Sequence, residues 1–207
     1  MKTRIAPFAL ALLVLAGAAR AEPLRVIATV PDLADLARSV GGDAVDATSL
    51  VKGPQDPHFV EARPSFVRAL HDADLLLAVG LELESGWLPA LLQGARNARI
   101  APGAPGHLDA SDAVAPLEVP SAPVDRSMGD VHALGNPHYL TDPVRALHVA
   151  GAIRARLAAL RPEESAGFDA RYDTFARRLV AALVGAELAA RAAPEEIARE
   201  VERDGGA

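Results

Sequence analysis

Two loops carry the residues best suited to chemistry in this chain, and each loop ends in a Pro-His pair. The first is the stretch 53–58 (GPQDPH), and the second is the stretch 129–138 (GDVHALGNPH). Glycine and proline at this density do not continue a helix or a central strand, so each histidine should lie in a stiff loop. A metal ligand must be held close to its working geometry, which such a loop favours. His58 and His138 are therefore candidate ligands of one divalent metal site.

His132 lies in the second loop, upstream of His138, and its role stays open. Both rings face one ion only if the turn at 135–137 folds back; otherwise His132 is peripheral. The spacing differs from the HExxH pair and from zinc fingers. Asp56 and Asp130 precede the histidines, and each either orients an imidazole or shapes its turn.

The rest of the sequence limits the types of metal ligand and the classes of protein that are expected. The chain has no cysteine, so a metal site must use His, Asp or Glu. His71, His107 and His148 are expected to be structural or solvated. Neither a GxSxG motif nor a GxxxxGK[ST] motif is present, which argues against a serine hydrolase and a phosphate-binding loop. The net charge of -6 argues against a nucleic-acid partner.

Residues 1–21 are predicted to be a secretory signal peptide. Lys2 and Arg4 begin it, an apolar run over 8–17 follows, and Ala19-Arg20-Ala21 has the small-x-small pattern of a cleavage site. The alternative is an N-terminal membrane anchor, but the apolar run is short for a bilayer span. We expect cleavage after Ala21, no stable membrane insertion afterwards, and a periplasmic location.

Strands and helices alternate along the first half of the chain. Apolar, β-branched runs predict strands over 24–30, 45–51 and 74–80, with a shorter one over 99–102, and amphipathic helices separate them. This order predicts an α/β fold with a parallel four-stranded sheet flanked by helices. The first Pro-His loop follows the second strand, at the edge where open α/β sheets bind ligands.

The second half is predicted to be helical. An irregular connection over 102–127 leads into the second loop, and a long helical region begins at Asp142-Pro143. Arg161-Pro162 breaks or kinks that region before it continues to about residue 184. Pro194 starts a further short helix.

In order along the chain, several motifs resemble one protein family. They are PDLADLA (31–37), GGD (41–43), DPHFVEARPS (56–65), DLLLAVG (74–80) and GDVHALGNPHY (129–139), followed by Asp142-Pro143. Together they resemble the zinc/manganese-type solute-binding proteins of bacterial ABC transporters, over about 24–183. Any one motif is weak, but the ordered set behind a signal peptide is specific.

The resemblance implies two α/β lobes joined by a long helix, with the metal in the cleft between them. His58 and His138 match the two histidines of the first lobe, and His132 lies near them. The third histidine and the acidic ligand of the second lobe have no counterpart. The expected organisation is a signal peptide (1–21), an N-terminal lobe (22–141), a long connecting helix (142–184) and the start of a truncated C-terminal region (185–207).

The implied function is capture of Zn²⁺, with Mn²⁺ as a possible alternative, and delivery to a membrane ABC permease without catalysis. Two alternatives remain at this point. One is a zinc hydrolase that uses Glu61 as its general base. The other is a scaffold or interaction domain that has lost metal binding.

Overall fold

The computed structural model describes residues 21–122 and 131–205, with side chains through residue 203. Residues 1–20 of the predicted signal peptide and Asp130 of the second loop lie outside the described residues. Among the described helices, none is both long and apolar enough to cross a membrane.

Four strands and seven α-helices make up the described chain. The strands are β1 (Leu24–Ala28), β2 (Val45–Ser49), β3 (Leu75–Ala78) and β4 (His107–Asp109). The helices are α1 (Pro31–Gly41), α2 (Pro64–Asp72), α3 (Leu88–Ala95), α4 (Pro143–Leu160), α5 (Ser165–Val184), α6 (Ala186–Ala189) and α7 (Pro194–Gly205). A proline occupies the first position of α1, α2, α4 and α7. A backbone N–H at this position has no acceptor within the helix, so a proline there loses no helical hydrogen bond.

The strands form one parallel sheet in the order β2-β1-β3-β4. Leu24 pairs with Val45 at the start of β1, and Val26 pairs with Leu75 of β3. The predicted parallel four-stranded sheet flanked by helices is therefore confirmed.

Both faces of the sheet are covered, which explains the unbroken apolar run in β3. Leu75 and Leu77 join the core that contains buried residues of α1, α4 and α5. Leu76 and Ala78 point to the opposite core, which contains buried residues of α2 and α3. The alternation follows directly from the two-residue period of a strand.

The fourth strand is not where the sequence predicted it. Ala98–Ile100 forms a 3₁₀ turn, so the strand expected over 99–102 was wrong, and β4 lies inside the segment expected to be irregular. Gly106 makes this pairing possible, because a Cβ there would collide with the carbonyl oxygens of Asp74 and Arg99. Its own carbonyl accepts the N–H of Leu76 at 2.8 Å.

The helical region over 142–184 is divided at Arg161-Pro162, where the sequence predicted a break. Its first half is α4, whose N-terminus is capped by the Asp142 side chain, and its second half is α5. Helix α5 runs back along α4, since Arg154 lies 3.6 Å from the Asp169 carboxylate and stacks over the Tyr172 ring. The helix α5 is thus part of the core of the lobe.

The two tyrosines of the chain should resist ionisation in the folded state. Burial raises the pKa of Tyr139 far above its ordinary value of about 10, and burial together with Glu195 raises the pKa of Tyr172 to about 12. The folded state favours the neutral phenols, so this contribution to stability is complete below the ordinary pKa and is lost as pH rises through the folded pKa. A spectrophotometric titration of the folded chain should show no tyrosinate near pH 10, about the ordinary pKa of tyrosine. A normal titration there would contradict the burial of both rings.

Candidate metal centre

The fold brings the rings of His58, His132 and His138 together at the carboxyl end of the sheet. The ring centroids of His58 and His132 lie 5.2 Å apart, and those of His58 and His138 lie 5.3 Å apart. The Nε2 atoms of His58 and His132 approach to 3.1 Å. His132 therefore faces His58 and is not peripheral to the pair.

Asp56 fixes the His58 ring. Its Oδ1 accepts the backbone N–H of His58 at 2.9 Å and the ring Nδ1–H at 2.8 Å, so it both shapes the turn and orients the imidazole. The backbone hydrogen bond, and then the ring hydrogen bond, hold the pKa of Asp56 below its ordinary value. Because Nδ1 carries the proton, the lone pair of a neutral His58 ring is on Nε2, the atom that faces His132.

The second loop is held by Asn136 and its neighbours. Asn136 Oδ1 accepts the backbone N–H of His138 at 2.9 Å, and its amide group donates to Glu118 at 2.8 Å. The N–H of Asn136 also donates to Leu117 O at 2.8 Å. Gly135 adopts a φ of 112°, and a side chain there would press against Leu117 O. This glycine permits the turn that carries His132 back toward His58.

The geometry of the pair suits a tetrahedral ion. Two nitrogens bound at about 2.0 Å to a tetrahedral Zn²⁺ lie about 3.3 Å apart, close to the 3.1 Å between the two Nε2 atoms. With the His58 ring neutral and protonated on Nδ1, His132 Nε2–H is the donor to His58 Nε2 in this contact. A cavity of about 280 Å³ beside them is lined by residues that include Glu118, His132 and His138.

The arrangement is not a complete coordination sphere. Within 21–122 and 131–205, no group of three or more His, Asp or Glu side chains is placed to hold a metal ion. The structure thus brings the predicted histidines together, with His58 in contact with each of the others, without converging all of them on one point.

The other candidate residues have structural partners. Glu61 lies 3.6 Å from Arg63, ahead of α2. The three remaining histidines make hydrogen bonds within the fold, as expected: His71 with Ala95 O, His107 with Ile100 O, and His148 with Glu202.

Sequence reasoning missed the residues beneath the two loops. Trp87 donates its ring N–H to Pro57 O at 2.9 Å, directly before His58. Glu84, which is only 4 % exposed, lies between the ends of two strands. The available signal was a glutamate inside the mostly apolar stretch 81–92, but its burial depends on the tertiary fold.

Comparison with known proteins places this chain in a family. The family model described as "ZnuA: Zinc-uptake complex component A periplasmic" matches residues 26–197, most of the chain. A crystal structure of a zinc-bound ZnuA deletion mutant superposes with a TM-score of 0.63 at 27% identity, covering 76% of this chain and 54% of that one. A second ZnuA crystal structure gives a TM-score of 0.62 at 25% identity.

Curated relatives bear the names of different metals. The manganese ABC transporter substrate-binding lipoprotein PsaA of Streptococcus mitis is 37% identical over 83 residues, which are 39% of this chain and 27% of PsaA. The iron ABC transporter substrate-binding lipoprotein MtsA of Streptococcus pyogenes serotype M1 is 33% identical over 84 residues, also 27% of its length. The chain therefore matches about a quarter of the length of these relatives. With a family model that spans residues 26–197, the chain belongs to the ZnuA family of metal-binding components of ABC transporters.

Proposed function

We propose that this chain captures a divalent transition metal with His58, His138 and His132 in the periplasm and delivers it to a membrane ABC permease. The observation that carries the proposal is the 3.1 Å approach of two imidazole Nε2 atoms, one of them on a ring oriented by a carboxylate. Such a carboxylate–histidine pair is the usual support of a metal-binding imidazole.

Zn²⁺ is the proposed cargo and Mn²⁺ the alternative. Imidazole nitrogen suits zinc, whereas carboxylate and carbonyl oxygen favour manganese. The candidate ligands here are histidines, and the Asp56 carboxylate beside them is bonded to a ring N–H. The relatives named for manganese and iron show that the choice of metal varies among similar proteins.

No catalytic step belongs to the proposal. A zinc hydrolase needs a general base within reach of a metal-bound water. Glu61, the base considered from the sequence, is exposed and pairs with Arg63. The relatives are named as substrate-binding proteins, which agrees with capture and release.

Calorimetric titration of the chelator-treated chain tests the proposal. The described structure does not converge the three histidines on one point, so a tetrahedral ion would keep water ligands, and we expect one Zn²⁺ per chain with a Kd in the micromolar range, about -8 kcal/mol at 1 μM. Mn²⁺ should bind more weakly, in line with the order of divalent metals at nitrogen ligands. No detectable Zn²⁺ binding would favour the scaffold alternative, and nanomolar binding by the monomer would contradict an incomplete coordination sphere.

A further inference from the structure

Each of the three histidines has a neighbour in the chain that is hydrogen-bonded to one and the same loop. This platform loop, residues 79–87, joins β3 to α3. Trp87 donates to Pro57 O beside His58, at 2.9 Å. The N–H of Ala133, beside His132, donates to the Glu82 carboxylate at 2.9 Å, and the hydroxyl of Tyr139, beside His138, donates to Val79 O at 2.5 Å.

The platform loop is itself held by one buried carboxylate. Glu84 accepts the hydroxyl of Thr29 at 2.6 Å, the N–H of Val79 at 2.7 Å and the N–H of Gly80 at 3.1 Å. Thr29 directly follows β1, whereas Val79 and Gly80 directly follow β3. Glu84 therefore joins the carboxyl ends of the two central strands to the loop that carries it.

This carboxylate occupies a distinctive place in the fold. In the order β2-β1-β3-β4 the chain reverses direction across the sheet between β1 and β3, and the crevice at that point is where α/β sheets bind ligands. Here the crevice contains the side chain of Glu84. Its carboxylate accepts the hydrogen bonds that these donors would otherwise give to an anion bound in the crevice.

The hydrogen bonds of Glu84 hold three donors in place. Burial raises the pKa of Glu84, and the hydrogen bonds from Thr29, Val79 and Gly80 oppose that rise. Glu84 fixes these donors in space, because leaving any one of them unsatisfied is costly.

The backbone of the platform loop adopts an unfavourable conformation that surrounding contacts must hold in place. Gly80, Leu81 and Glu82 have φ values of 82°, 49° and 68°, three left-handed residues in a row. For non-glycine residues this conformation costs roughly 1–2 kcal/mol each, and it persists only where surrounding contacts enforce it. The Glu84 hydrogen bonds to Val79 and Gly80 lie at the start of this run.

We infer that Glu84 is a positioning residue for the metal centre, which sets the placement of His58, His132 and His138 together through the platform loop. The inference rests on the proposed function for its biological meaning. The placement itself can be measured in the metal-free chain, so the two ideas can fail separately.

Nuclear magnetic resonance of the imidazole rings tests the placement. In the parent chain, ring–ring contacts should be seen between His58 and His132, with the Nδ1–H tautomer at His58. In Glu84→Gln the amide group cannot accept hydrogen bonds from all three donors, so the resonances of all three rings should shift and the His58–His132 contact should weaken.

Tyr139→Phe should mainly shift the resonances of His138, and Trp87→Phe mainly those of His58, because each removes one hydrogen bond to the platform loop. Tyr172→Phe, remote from the loop, should shift none.

Metal titration of the same variants adds the functional readout. If the parent chain binds Zn²⁺, Glu84→Gln should lower the affinity by about 10-fold or more, as for other residues that support metal ligands. If Glu84→Gln does not fold, Thr29→Val removes one donor with little change of shape and should shift all three rings in the same sense. A folded Glu84→Gln or Thr29→Val chain with unchanged ring resonances and ring contacts would overturn the inference. A parent chain without metal binding would overturn only the proposed function.

Discussion

Replacing His58 with alanine should lower the affinity for Zn²⁺ by at least about 100-fold. His58 is the ring that contacts both other histidines, and Asp56 holds it with two hydrogen bonds. Its loss removes one proposed ligand and leaves His132 and His138 without the ring they both face. Calorimetric titration at neutral pH measures the change directly.

Two further variants test whether the loss of affinity is specific to His58 and to the support of its ring. His148→Ala removes a histidine that pairs with Glu202, away from the two loops, and should leave the affinity unchanged. Asp56→Asn keeps His58 but weakens the support of its ring, so a loss of about 10- to 100-fold is expected. If His58→Ala binds Zn²⁺ as the parent chain does, the metal site lies elsewhere.

Replacing Phe168 with alanine should destabilise the fold by about 3–5 kcal/mol, the usual cost of removing a buried aromatic ring. Phe168 of α5 is 0% exposed and belongs to the core shared with α1 and α4. Urea unfolding followed by circular dichroism gives the free energy, with an unchanged slope showing that the unfolded state is the same.

The matched control is the same substitution on the surface. Phe59 is 73% exposed, so Phe59→Ala should change stability by less than about 0.5 kcal/mol. Equal effects of the two changes would show that α5 does not pack against α1 and α4 as described. A large difference would confirm that the region after Pro162 is structurally part of the lobe.

The features predicted well from the sequence rest on short-range rules. Prolines at helix starts, apolar runs in β1 and β3, and the Pro162 break each depend on residues close in the chain. The stiffness of the Pro-His loops is of the same kind, since Asp56 and Asn136 each bond to the backbone N–H two residues ahead. These local features led to His58 and His138 as candidates.

The features missed depend on distant partners. Strand β4 has only three residues, too few for a periodic signal, and it forms because Leu76 offers a free edge to pair with His107. The placement of His132 depends on a turn that packs against Leu117. The role of Glu84 could not be predicted from its loop, because it depends on hydrogen bonds with Thr29 and the end of β3 that only the fold brings together. The roles of the three histidines as ligands stay predictions.

The strand order has a consequence for the timing of folding. Strand β1 pairs with β3, and the crevice at their ends forms only after the chain has been made through residue 87. The second loop, which carries His132 and His138, comes later still and docks onto that crevice through Tyr139. Closing such long loops is slow compared with forming local helices. The histidine cluster therefore forms only when loops from distant parts of the chain have docked, and an unfolded chain presents only separate imidazoles to a metal ion.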